Sequence, residues 1–207
     1  MKIGSAEGFL AILDDDRAVQ VALQGLMESE GMSTLCFDSA EQFLNSTAIH
    51  QVSCLIADIG MPGMSGIDLQ ARLKDERCGI PIIFITARGD VQLAVTAIKQ
   101  GASNFFAKPF DSGAFLAAVG QALEESRHSR RQALELADLQ TRHNSLTLRE
   151  QEVLPLLVGG LMNKQAAAEL GITEYTVQVH RGHIMRKMRA RSFADLVRMA
   201  ERLAQGA

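Results

Sequence analysis

The chain has 207 residues, 47% hydrophobic and 22% charged, with 17 Gly and 4 Pro. That length suits one large domain or two small ones, and the composition excludes disordered, collagen-like and low-complexity chains. The net charge of −3 averages two unlike halves: residues 1–125 hold 8 basic against 16 acidic residues, and residues 126–207 hold 13 against 8. Such asymmetry is expected of an acidic module joined to one that meets a polyanion. No apolar run reaches the roughly 18–20 residues that span a bilayer. The stretch Met1–Leu13 lacks a small-residue cleavage site, so no secretory signal is expected. Cys36, Cys54 and Cys78 are odd in number and lack paired metal spacing, which fits reduced thiols and a cytoplasmic location.

In chain order, strand patterns fall at Phe9–Leu13, Met32–Phe37, Ser53–Ala57, Ile80–Ile85 and Ser103–Ala107. Helical patterns alternate with them near Ala18–Ser29, Ala40–Asn45, Gly66–Lys74, Val91–Gln100 and Ser112–Leu123. The strands are continuous apolar runs, as strands covered on both faces are, so a five-stranded, doubly wound, flavodoxin-like parallel α/β domain is expected over 1–124. Good helix formers without Pro or Gly predict a helical linker over 125–145. The remainder, 146–207, reads as all-helical. Thr147 with Glu150 and Ser192 with Asp195 have capping-box spacing, Asn163 and Thr173 are candidate caps, and Gly159-Gly160 and Gly171 are stop signals. Pro155 predicts a kink in the first of these helices.

Doubly wound sheets gather ligands at the carboxyl ends of their strands. Asp14 and Asp15 follow strand one, Asp58 strand three, Thr86 strand four and Lys108 strand five. Converging carboxylates call for a cation, and an oxygen-only set suits Mg²⁺. A carboxylate beside Mg²⁺ is a nucleophile toward a phosphoryl group, with a hydroxyl and an ammonium to neutralise the equatorial oxygens. Taken singly, an Asp triplet is as readily a helix cap, Thr86 a strand-end hydroxyl and Lys108 a solvated loop lysine.

The segments LDDD (13–16), IADIGMPGMSG (56–66), FITARGD (84–90) and FFAKPF (105–110) together resemble the receiver domain of two-component response regulators over 8–124. The resemblance implies Asp58 as phosphoacceptor from a histidine kinase. It implies Asp14, Asp15, Asp58 and the Gly60 carbonyl as ligands of Mg²⁺, for which Mn²⁺ substitutes. Thr86 and Phe105 match switch residues, Lys108 the phosphate-contacting lysine, and the Lys108-Pro109 bond would be cis. Gly60 departs from relatives that carry a side chain there.

Arg181, Arg186, Lys187, Arg189 and Arg191 place five cations in eleven residues, after a helix–Gly171-Ile172-Thr173–helix pattern that reads as a helix-turn-helix. LTLREQEVL (146–154), GLMNKQAAAELGI (160–172) and TVQVHRGHIMRKM (176–188) resemble the NarL/LuxR-type DNA-binding domain, and the combination is similar to the FixJ-like subfamily. The resemblance implies DNA contacts by Lys164, Thr176, Gln178, Val179, Arg181, Gly182 and Arg186. Gln178 stands where relatives usually carry Lys, and Gly182 where many carry a long polar residue. His180 and His183 lack a further ligand at metal-site spacing and read as surface or core-edge residues.

The expected function is a phosphorylation-controlled transcriptional regulator, an activator by family habit, whose receiver catalyses only its own phosphoryl transfer and dephosphorylation. Expected partners are the kinase, double-stranded promoter DNA, RNA polymerase and, on phosphorylation, a second copy of the chain, with no membrane. Two readings compete with this one. A Mg²⁺-dependent phosphohydrolase would need a substrate pocket and a general base, and an RNA-binding antiterminator would not need the capped helix-turn-helix.

Overall fold

The computed structural model describes residues 8–76, 78–87 and 91–205, with the backbone alone at Val91. The Met1–Glu7 part of the leader reading, the Arg88–Asp90 end of one motif and the last two residues of the chain lie outside the described residues. Two compact units divide between Arg130 and Arg131. No helix among the described residues is long and apolar enough to cross a membrane.

In the first unit, β1 (Phe9–Leu13), β2 (Thr34–Phe37), β3 (Val52–Asp58), β4 (Ile82–Thr86) and β5 (Asn104–Ala107) form one parallel sheet in the order β2-β1-β3-β4-β5. The alternation of side chains along each strand sends one set to each face. Ala11, Leu13, Leu55, Ala57, Ile82 and Phe84 meet α2 (Ala40–Leu44), α3 (Gly66–Asp75) and α4 (Val91–Lys99) on one side. Leu10, Ile12, Cys54, Ile56, Ile83 and Ile85 meet α1 (Arg17–Ser29) and α5 (Ser112–Asn144) on the other. This is the doubly wound parallel fold that the apolar runs predict.

Several boundaries differ from the sequence reading. β2 starts at Thr34, because Gly31 turns with φ 77° and the Met32 N–H closes back on the Met27 carbonyl, which ties Met32 to the end of α1, while the Ser33 carbonyl already accepts the Leu10 N–H of β1. β4 starts at Ile82, after Pro81, which has no N–H and offers only its carbonyl, to the Leu55 N–H at 2.9 Å. A 3₁₀ turn at Thr47–Gln51, capped by the Ser46 hydroxyl, precedes β3 and has no counterpart in the sequence reading.

In the second unit, α6 (Leu148–Val158), α7 (Asn163–Leu170), α8 (Glu174–Met188) and α9 (Phe193–Gln205) enclose a core of Val153, Leu157, Val177, Ile184, Met188 and Leu196. Residues 131–144 of α5 belong to this unit: Leu139 joins its core, and Arg142 Nη1 donates to the Met188 carbonyl. The Thr147/Glu150 capping box forms, and α6 continues through Pro155 to its end at Gly159. Asn163 is not the cap of α7. The helix begins one residue earlier than that role needs, Met162 takes the cap position, and the Gln165 side chain accepts its N–H at 2.9 Å. At α9 the Ser192 hydroxyl accepts the Asp195 N–H, but the Asp195 carboxylate takes the Arg191 N–H, so the reciprocal half of that box is displaced by one residue.

Candidate functional site

The order in which strands are added reverses between the parallel neighbours β1 and β3, and the carboxyl ends of those strands carry Asp14 and Asp58. Asp14 is 1% exposed and Asp58 8%, whereas Asp15, one residue on, is exposed. Lys108, just beyond β5, spans the two buried acids, its Nζ 2.7 Å from Asp14 Oδ2 and 3.4 Å from Asp58 Oδ1. Its backbone N–H donates to the Thr86 carbonyl, and the Lys108-Pro109 bond is cis, as the resemblance implies. The Gly60 N–H donates to Asp58 Oδ2 at 2.8 Å, which turns the β3–α3 loop beneath that carboxylate. Thr86 is buried at the end of β4, and half-buried Phe105 packs on the core shared with α2–α4.

Burial pushes the Asp58 carboxyl above the ordinary range; the Lys108 charge and the Gly60 N–H oppose that rise, and Asp14 adds to it. For Lys108, burial favours the neutral amine, but hydrogen bonds and charge from Asp14 and Asp58 outweigh it and raise its pKa. Two buried carboxylates thus face one ammonium. The negative charge left over and the all-oxygen donor set fit a hard divalent cation such as Mg²⁺. Asp15 does not complete a tight triad: among the described residues, Asp14, Asp15 and Asp58 are not a group whose ligand atoms all lie within 4.8 Å of one another.

Two residues that shape this pocket carry no site signal in the sequence. Gln20, fully buried on α1, donates from Nε2 to the Asp14 carbonyl at 2.7 Å, to the Phe37 carbonyl at 3.1 Å and to Asp38 Oδ1 at 2.8 Å, fixing the β1–α1 loop. Gly66, the first residue of α3, lies so close to Asp58 that an added Cβ would sit 2.7 Å from the Asp58 carbonyl oxygen. A polar residue inside an apolar helical stripe is the only hint of the first, and the Ser-Gly helix start the only hint of the second.

In the second unit, α7 ends at Gly171, which adopts the left-handed conformation at φ 63°, and Thr173 caps α8 by accepting the Thr176 N–H. Lys164, Gln178, Val179, Gly182 and Arg186 are exposed. Thr176 and Arg181 are more engaged. The Thr176 hydroxyl bonds the Thr173 hydroxyl at 2.8 Å, and the Arg181 guanidinium lies 4.4 Å over the Phe193 ring, with Nη1 3.5 Å from Asn163 Oδ1. Lys187 leaves the cationic run to pair with buried Glu150 at 2.6 Å. The structure therefore presents an α7–turn–α8 surface with Gln178, Val179 and Gly182 outward, while Arg181 and Lys187 are held by side chains of their own unit.

Residues 10–120 match the family described as the response regulator receiver domain, and residues 144–200 match the bacterial regulatory proteins of the luxR family. The chain is similar to the response regulator protein TodT of Pseudomonas putida, 49% identical over 192 residues that cover 93% of this chain and 85% of that one. Among solved structures it is similar to the response regulator StyR, with a TM-score of 0.84, 45% identity and coverage of 95% of this chain and 99% of that one. It is also similar to full-length FixJ from B. japonicum, with a TM-score of 0.57, 36% identity and coverage of 97% and 99%. The chain belongs to the two-component response regulators that join a receiver to a LuxR-type DNA-binding domain, and is a transcriptional regulator.

Proposed function

We propose that Asp58 accepts a phosphoryl group from a histidine kinase and that the resulting aspartyl-phosphate controls dimerisation and promoter binding. The observation that carries this reading is Lys108 Nζ held between Asp14 and Asp58 at the β1/β3 switch point. In the transfer, an Asp58 carboxylate oxygen bonds to phosphorus as the bond to the donor imidazole breaks, and the imidazole leaves neutral once protonated. Lys108 is already in place to meet the added negative charge, and the Thr86 hydroxyl is the second contact assigned to the phosphoryl oxygens. Asp14, Asp15, Asp58 and the Gly60 carbonyl are the residues assigned to hold Mg²⁺, with Mn²⁺ able to substitute. When bound, the ion supplies charge neutralisation for the entering phosphoryl group.

The units so coupled are a receiver over 1–124, a helical linker over 125–145 and a DNA-binding domain over 146–207. Movement of Thr86 and Phe105 toward the modified Asp58 is the assigned switch. Dimerisation then places two α8 helices on paired half-sites of double-stranded DNA, where Lys164, Thr176, Gln178, Val179, Arg181, Gly182 and Arg186 are the assigned contacts. Of these, Gln178 is suited to adenine and Val179 to a thymine methyl. We assign the chain to the cytoplasm and to activation of transcription with RNA polymerase; the only chemistry assigned to the receiver is its own phosphorylation and dephosphorylation. In acetyl phosphate with Mg²⁺, the full chain should gain one phosphoryl group and its Asp58→Asn variant none. Undiminished labelling of the variant would place the acceptor elsewhere.

A further inference from the structure

Between α6 and α8, on the side of the second unit that holds Lys187, three side chains form a group that plays no part in the proposed signalling chemistry. One ligand atom each from Glu150, His180 and His183 lies within 4.8 Å of the other two. Glu150 is 2% exposed, the two histidines are half-buried, and His183 Nδ1 is 3.6 Å from Glu150 Oε1. The sequence spacing leaves the histidines without a third ligand, because the partner is supplied thirty residues earlier by the capping box of α6.

A carboxylate this buried would ordinarily be consumed by its own hydrogen bonds. Here the two oxygens divide the work. Oε2 accepts the Thr147 N–H at 2.8 Å and the Lys187 ammonium at 2.6 Å, while Oε1 is the oxygen turned toward His183. The second observation is independent of this carboxylate. His180 Nδ1 is buried and has no hydrogen-bond partner among the described residues, a state that disfavours a polar group unless something binds it. His180, His183 and Lys187 recur at i, i+3 and i+7 and so share the face of α8 turned to α6, away from Gln178 and Gly182.

We infer that Glu150, His180 and His183 form a binding site for a divalent transition ion of the zinc class, clamping the middle of α8 to the first turn of α6. Two imidazoles and one carboxylate with water in the fourth position suit Zn²⁺, which takes four nitrogen, oxygen or sulfur ligands in a tetrahedral array. The nitrogen donors disfavour Mg²⁺ and Ca²⁺, which seek oxygen. The Lys187 ammonium lies on the far oxygen, Oε2, at 2.6 Å, and leaves Oε1 on the side of His183.

The test is Zn²⁺ titration calorimetry on the full chain in saturating Mg²⁺, which keeps the carboxylate pocket of the first unit occupied. One Zn²⁺ should bind per chain. His180→Asn and His183→Asn should each weaken binding by at least about tenfold, a loss that even outer-shell partners of metal sites produce, and His50→Asn should not. A smaller loss in either variant, or no uptake by the unaltered chain at about 1 mM Zn²⁺, overturns the inference. A second measurement needs no variant: Zn²⁺ should shield His180 and His183, but not His50, from diethyl pyrocarbonate as read by peptide mass spectrometry. Equal modification of His180 and His183 with and without Zn²⁺ is the contrary result.

Discussion

Asp58 is a carboxylate that its own fold disfavours, since burial raises its pKa above the ordinary 3.8 against the pull of Lys108. A group whose folded-state pKa is raised costs stability when charged. That cost is fully present above the folded pKa and fades as pH falls through it toward 3.8. Asp58→Asn should therefore raise the unfolding midpoint of the first unit at pH 7 in the absence of divalent ions, and the difference should close on acidification. Calorimetric scans across that pH range check this, and an unchanged or lower midpoint at pH 7 contradicts it. Lys108 has the opposite linkage: its raised pKa stabilises the fold below about 10.5, and that contribution is lost as pH rises beyond its folded value. Gly66 imposes a steric condition on the same carboxylate. An added Cβ would stand 2.7 Å from the Asp58 carbonyl and 2.9 Å from the fully buried Phe84 ring, neither of which can yield. Gly66→Ala should cost about 1–3 kcal/mol by denaturant unfolding, the range of overpacked cores.

At the scale of elements, the strands were legible because both faces of the sheet are covered, which leaves apolar runs at Phe9–Leu13, Cys54–Ala57 and Ile82–Ile85. The caps at Thr147 and Thr173 and the stop at Gly171 were legible from local hydrogen-bond chemistry, which acts within four residues. The 3₁₀ turn at Thr47–Gln51 was not, because five residues carry no period. The cap of α7 misled for a physical reason: Asn163 has the preferred side chain, but Gln165 satisfies the Met162 N–H and moves the start by one residue. Of the pocket, Asp14, Asp58 and Lys108 were legible as strand-end residues, while Gln20 and the approach of Gly66 depend on packing across elements. The Glu150–His180–His183 group joins α6 to α8, and no spacing within either helix announces it. On α8, Gly182 is exposed with open space where a Cβ would point. Gly182→Ala should stabilise the second unit by about 0.5–1 kcal/mol through helix propensity, read as a higher denaturant midpoint. A lower midpoint would mean that glycine serves the fold at that position.

Across the whole molecule, the net charge of −3 resolves into an acidic surplus in residues 1–125 and a basic surplus in 126–207. Part of the acidic surplus is Asp14, Asp15 and Asp58 at the carboxyl ends of β1 and β3, and much of the basic surplus lies on α8 and just beyond it. One of those cations is spent within its own unit, Lys187 on Glu150, while Arg181 is oriented by the Phe193 ring beneath it. The proposal links the two surpluses through Asp58. It is tested most directly by the affinity of the full chain for duplex DNA selected from a random library, measured with and without acetyl phosphate in Mg²⁺ at one fixed salt concentration. Acetyl phosphate should tighten binding by the unaltered chain and leave Asp58→Asn unmoved; equal tightening of both would contradict the account.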